Sequence, residues 1–171
     1  MHEAGPPIRL PATVLAELAR RCELAGPEAL GALRAAGRLM GTELLAALGD
    51  GVDPERTRPT AFWEAVGEEL ANMGFGRVHY EVHSGGVASV VLPELPEASG
   101  RLDHPGCPFA TGMLAGLLGG AAGEPVAVLE VECRAGGHPA CRFLVGAEHR
   151  LRTVRERLMD GSSLPEALEG V

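Results

Sequence analysis

Three cysteines and one glutamate in the second half of the chain constrain its fold more than any other feature. Twenty-two residues separate Cys107 from Glu130, two separate Glu130 from Cys133, and seven separate Cys133 from Cys141. Three soft sulfur donors and one hard oxygen make a four-ligand set of the kind that suits zinc. For the four to meet, the chain must follow a particular path. Glu124-Pro125 opens a new element, and Val126, Val128, Leu129 and Val131 read as a β-strand rich in branched residues. Alternate residues of a strand share a face, so Glu130 and Glu132 point one way, Val131 and Cys133 the other. Glu130 and Cys133 therefore reach one metal only if the strand bulges or ends between them. Arg134 to His138 is a turn signal, and Pro139 to Val145 reads as the returning strand of a hairpin. That path carries Cys141 back beside Cys133. Cys107 arrives from the start of a helix, with Pro108 in its first turn.

The plainer reading is three buried thiols, since free cysteine is among the most buried residue types. A glutamate at matched spacing favours metal. His104 and His138 lie close enough to replace Glu130, and both stay open as the fourth ligand. Four protein ligands leave no position for substrate, so the expected role is structural, pinning a helix start to a hairpin.

This segment resembles the 4-vinyl reductase (4VR) domain, also called the hydrocarbon-binding domain. The likeness rests on Cys107, Phe109, Gly112, Leu114-Ala115-Gly116, Glu130, Cys133, Gly136-Gly137, Cys141 and Phe143. Upstream, Gly37 to Gly41 with Leu44-Leu45 resembles the family's Gly-rich first helix, and Trp63 to Gly76 its later helix and strand start. The resemblance implies an α+β fold in which a helical layer packs on an antiparallel sheet. Haem-nitric-oxide-binding and vesicle-tethering-subunit domains share that fold, and members often dimerise. Similar sensor domains of aromatic-responsive bacterial activators hold zinc, which implies zinc ligation by Cys107, Glu130, Cys133 and Cys141. Activities in the family differ, from sensing aromatic ligands to a part in reducing a vinyl group during bacteriochlorophyll synthesis. The fold and the zinc site carry over; ligand and output do not.

At 171 residues the chain reads as one domain. Residues 1–25 form an N-terminal lead-in and short helix, 26–147 the 4VR-like zinc and ligand-binding region, and 148–171 a C-terminal helix and tail. A hydrophobic content of 46% with 22% charged residues is ordinary for a soluble globular protein. No apolar run approaches a membrane span, and the N-terminus lacks the regions of a signal peptide, so a cytoplasmic location is expected. Cysteines in that compartment suit metal or reduced core thiols, and Cys22 is expected in the core. The net charge of −8 argues against general nucleic-acid binding. Every basic residue is Arg, which excludes a Walker-type phosphate loop and Schiff-base chemistry. There is no dinucleotide fingerprint, and Ser99-Gly100 and Ser162-Ser163 lack an elbow-like context. No catalytic set emerges.

Periodicity and turn signals order the elements. A short helix starts at Pro11, with Val14, Leu15 and Leu18 on its inner face. After Gly26-Pro27 a longer helix runs to Leu48, with Gly37 and Gly41 one turn apart so that another element can approach closely. Gly112 and Gly116 repeat that device on the helix after Cys107. A third helix runs from Pro59 or Thr60 to Met73, with Phe62, Val66 and Leu70 inward. A β-hairpin of 77–83 and 87–92 follows, then a long loop from Pro93 to Gly106 that suits a lid or partner contact. The second hairpin leads to a final helix over 147–160, with Leu151, Val154 and Leu158 inward. The sheet is thus built from two hairpins.

Two further clusters have ordinary readings. His79, Glu81 and His83 share one strand face and could hold a second metal, but a half-exposed strand normally shows a polar face. Arg150, Arg152, Arg155 and Arg157 interleave with Glu148 and Glu156, as on a solvated, salt-bridged helix. For a ligand pocket, Phe62, Trp63, Val66 and Tyr80 are the wall candidates, while Phe109 and Phe143 flank zinc ligands and read as packing residues. Together these features describe a stand-alone zinc-containing module that senses or carries a small hydrophobic molecule. It would act through a homodimer or a separate output protein, with neither nucleic acid nor membrane as partner. Two alternatives stay open. One is an accessory protein or reductase in tetrapyrrole vinyl-group metabolism, which would need a borrowed electron source; the other is a ligand-free interaction subunit with a filled core.

Overall fold

The computed structural model describes residues 11–49, 58–99 and 106–171. Its elements in chain order are α1 (Ala12–Ala25), α2 (Pro27–Leu48), α3 (Pro59–Asn72), β1 (His79–Val82), β2 (Ala88–Leu92), α4 (Pro108–Ala122), β3 (Ala127–Glu132), β4 (Cys141–Gly146), α5 (Glu148–Met159) and α6 (Leu164–Leu168). Pro27, Pro59 and Pro108 open their helices at positions where the backbone N–H has no intrahelical partner and its loss costs nothing. Gly26, at a φ of 99° that a side chain would resist, lets α1 stop and α2 start in a single residue.

The four strands form one antiparallel sheet in the order β1-β2-β4-β3, two hairpins joined through β2 and β4. This is the α+β architecture read from the sequence. Alternation along the strands divides the sheet into two apolar faces. Val90, Leu92, Phe143 and Val145 pack with Phe62, Val66 and Leu70 of α3 and Met113, Leu114 and Leu117 of α4. On the opposite face Val87 and Leu144 pack with Leu151 and Val154 of α5 and with Ala167 of α6. A second, smaller helical layer therefore covers the other side of the sheet.

Helix α4 is buried continuously from Ala110 to Leu117, as expected of a helix enclosed on more than one side. Its outer cover is α2, and the two backbones touch. A methyl added at Gly37 would lie 2.0 Å from the Phe109 carbonyl oxygen, and one at Gly41 2.0 Å from that of Met113. Gly112 and Gly116 reciprocate against the carbonyls of Arg34 and Arg38, at 1.9 and 2.1 Å. The two glycine pairs foreseen as close-packing devices are thus partners of one another, in helices running in the same direction.

Several expectations are corrected. Val14 and Leu18 are exposed at 43% and 48%, and α1 turns Leu15 and Ala19 inward instead. The three apolar residues straddle two faces, and the buried turn at Pro96–Ala98 occupies the side that α1 covers. Leu95 to Ala98 are buried, so the start of the expected lid is core; residues 100–105 lie outside the described set. Among the described residues, α5 forms no ion pair with Glu148 or Glu156; Arg157 instead donates to the carbonyls of Ala167 and Glu169, tying α6 to α5. Helix α6, absent from the sequence reading, carries a capping box of Ser163 and Glu166. Cys22 is half-buried rather than core. No helix among the described residues is long and apolar enough to cross a membrane.

Candidate functional site

Strand β3 does bulge where the ligand spacing demands it. Glu130 pairs with Phe143 and Glu132 with Arg142, so Val131 is the extra residue. The bulge turns Glu132 outward, where its carboxylate accepts a hydrogen bond from Arg142 Nε at 2.8 Å. It leaves Glu130 and Cys133 on one face. The turn at Arg134–Gly136 then reverses the chain and β4 opens on Cys141. Cys107 enters as the residue before α4.

One Sγ from each of Cys107, Cys133 and Cys141 and one carboxylate oxygen of Glu130 all lie within 4.8 Å of one another. The three thiols are buried and unpaired by any disulfide. Cys107 Sγ stands 3.7 Å from Cys133 Sγ and 3.8 Å from Cys141 Sγ. A tetrahedron with metal–sulfur bonds of about 2.3 Å has edges of about 3.8 Å, so this spacing is that of ligands around a common ion. Glu130 divides its oxygens. Oε2 accepts the Cys107 backbone N–H, whereas Oε1 is buried without a hydrogen-bond partner. Such an orphaned oxygen is costly unless something cationic meets it. The residues therefore fit a metal ion, with Glu130 as the fourth ligand. His138 is exposed and outside the cluster, and His104 lies outside the described residues.

The electrostatics point the same way. Burial, with the nearby Cys133 sulfur, pushes the Glu130 carboxyl up to about 8. The Cys107 thiol is driven up, first by its contacts with Cys133 and Cys141 and then by burial. Those contacts act oppositely on Cys141, which is pulled down to about 4 with help from the Arg134 N–H. The buried thiols and carboxylate compete for too few protons. A divalent cation resolves that competition by displacing them, as metal binding to thiolates does.

Glu97, read from the sequence only as part of a loop, also belongs to this region. It is 1% exposed, and its two oxygens accept the backbone N–H groups of Phe109 and Ala110, each at 2.9 Å. These are orphan donors of the first turn of α4, which Cys107 cannot cap with its own side chain. The missing cap was visible in the sequence; the distant residue that supplies it was not.

A second feature lies on the same side of the sheet. Trp63 and Tyr80 stack at 4.7 Å, and Phe62 meets Trp63 edge-on at 5.4 Å. Phe62, Trp63 and Tyr80 line a cleft of about 320 Å³ with Leu118, Val126 and Val145, and no charged side chain among the described residues lines it. Val66 is fully buried behind it and is not among the lining residues. Phe109 stacks on Phe75 and Phe143 is fully buried, both as packing residues. His79 and Glu81 are exposed, and His83 shares a 2.6 Å hydrogen bond with the buried Ser89 hydroxyl, so this face forms no metal cluster among the described residues.

Residues 87–147 match the family model of the vinyl-4-reductase (4VR) domain. The match begins beside β2 and ends after β4, so it takes in all four clustered ligands. It bears out the family resemblance read from the sequence. Among solved structures, the phenol-responsive sensory domain of the transcription activator PoxR, with phenol, superposes with a TM-score of 0.69 at 18% identity, covering 92% of this chain and 84% of that one. A trafficking protein particle complex subunit 3 from Naegleria fowleri, covalently bound to palmitic acid, gives 0.51 at 16% identity over 79% and 91%. A vinyl-4-reductase family protein from Methanocaldococcus jannaschii gives 0.48 at 23% identity, covering 66% of each. At these identities the likeness to the sensory domain establishes the fold. No curated protein matches the chain.

Proposed function

We propose that this chain is a zinc-containing ligand-binding module that senses or carries a small, neutral, hydrophobic molecule. The observation that carries the reading is the charge-free cleft against the Trp63–Tyr80 stack. Ligand sites are concave and mostly apolar, and a volume at the lower end of the usual ~300–1,000 Å³ suits a molecule of one or two rings. The fold shared with a domain that responds to phenol supports the same class of ligand. Zinc is the ion assigned to Cys107, Glu130, Cys133 and Cys141, because three thiolates and one carboxylate suit its softness and four-coordinate geometry. With every position filled by protein, the zinc holds α4 to the β3–β4 hairpin rather than acting on a substrate. Output passes through a homodimer or a separate partner protein.

Trp63 is the only tryptophan, so its fluorescence reports on the cleft directly. Titrating phenol or naphthalene into the metal-loaded protein should change that emission saturably, and Phe62→Ala should weaken binding about tenfold or more. Emission that stays flat across both probes contradicts the proposal.

A further inference from the structure

A second cleft, chemically unlike the first, opens beside the metal centre. It lies between the α1–α2 junction, the start of α4, β3 and α5, and its volume is about 580 Å³. Its apolar lining comes chiefly from Leu30 of α2, Pro108 of α4 and Val128 of β3. Two arginines also line it, Arg34 from α2 and Arg155 from α5. These helices sit in different layers, α2 outside α4 and α5 on the far face of the sheet, so the guanidinium groups reach the cleft from separate walls. Both side chains belong to exposed residues, and neither has a hydrogen bond or ion pair among the described residues.

The acidic groups of the lining do not cancel them. Glu130 is occupied by the Cys107 N–H and the metal cluster, and Glu23 is engaged in an interaction of its own. Two free guanidinium forks flanking apolar surface offer charge-assisted hydrogen bonds to an anionic head and contact area to a hydrocarbon body. We infer that this cleft binds a small amphipathic anion, a carboxylate or phosphate head on Arg34 and Arg155 with its apolar part against Leu30 and Val128. The aromatic cleft, which has no charged residue, would reject the same molecule because nothing there repays desolvation of its head. The chain would thus hold two ligands of opposite character at once.

The test is calorimetric titration of the metal-loaded chain with octanoate, octyl phosphate, octan-1-ol and inorganic phosphate, with Trp63 emission followed in parallel. At least one of the two anionic amphiphiles should bind about tenfold or more tighter than octan-1-ol and than inorganic phosphate, and leave Trp63 emission unchanged. Which of the two binds tighter identifies the head group. The double variant Arg34→Gln, Arg155→Gln should lose that binding about tenfold or more while keeping the Trp63 response to phenol. Since both residues are exposed, the variant is expected to fold. Failure of both anionic amphiphiles to bind, equal affinity in the double variant, equal affinity for octan-1-ol, or a response at Trp63 overturns the inference. Inorganic phosphate binding as tightly as octyl phosphate overturns it too, because the apolar lining would then contribute nothing.

Discussion

A carboxylate taken out of water needs donors, and Glu97 finds two on the first turn of α4. They do not fully offset its desolvation: burial dominates and raises its pKa to about 7 from 4.5. The folded state therefore binds a proton more tightly than the unfolded state does. Stability from this group is fully present below about pH 4.5 and is lost as pH rises through about 7, by at most about 3 kcal/mol. Urea midpoints of the wild-type chain should fall between pH 5 and pH 8, and Glu97→Gln should flatten that slope. A variant with the wild-type slope would show that Glu97 does not titrate in this range. Glu130 was legible from the sequence because its spacing to Cys133 is local. Glu97 was not, because the donors it meets lie twelve and thirteen residues away across a loop.

Among the elements, α2 and α4 depend on glycine for a reason that differs along the same helix. Gly37 faces a backbone carbonyl at 2.0 Å, while Gly31 would meet nothing within 4 Å. Gly37→Ala should force the helices apart and cost about 1–3 kcal/mol or more, as overpacking against an immovable backbone does. Gly31→Ala should stabilise by about 0.5–1 kcal/mol, since alanine loses less conformational freedom in a helix. Thermal melts of the two variants should move in opposite directions; a shared direction would contradict the backbone contact. That each glycine pair admits a close neighbour was readable from its one-turn spacing. That the neighbours are each other required the packed structure, since helical periodicity names a face but not what covers it.

At the scale of the molecule, the metal cluster joins the start of α4 to both strands of the second hairpin. Those segments meet in the core, where Cys107, Cys133 and Cys141 pack with Leu92, Leu114 and Phe143. Stripping the ion leaves an orphaned carboxylate oxygen and crowded sulfurs in that core, so the cost spreads through the sheet. Chelation should lower the melting temperature by more than about 5 °C, and added zinc should restore it. An unchanged melting temperature after verified metal loss would remove the structural role assigned to the site.

Local spacing by itself determined the order and type of the main elements, the two hairpins, the ligand set and the strand bulge that the set requires. Each of these follows from backbone periodicity or from a few neighbouring residues, and such information is written along the chain. Tertiary structure alone decided which face of α1 turns inward, that α2 and α4 meet through their glycines, that Leu95 to Ala98 are core, and that two clefts of opposite polarity flank α4. Those outcomes depend on competition among apolar faces for the same buried area, and burial is a property of the whole packed molecule rather than of any segment in it.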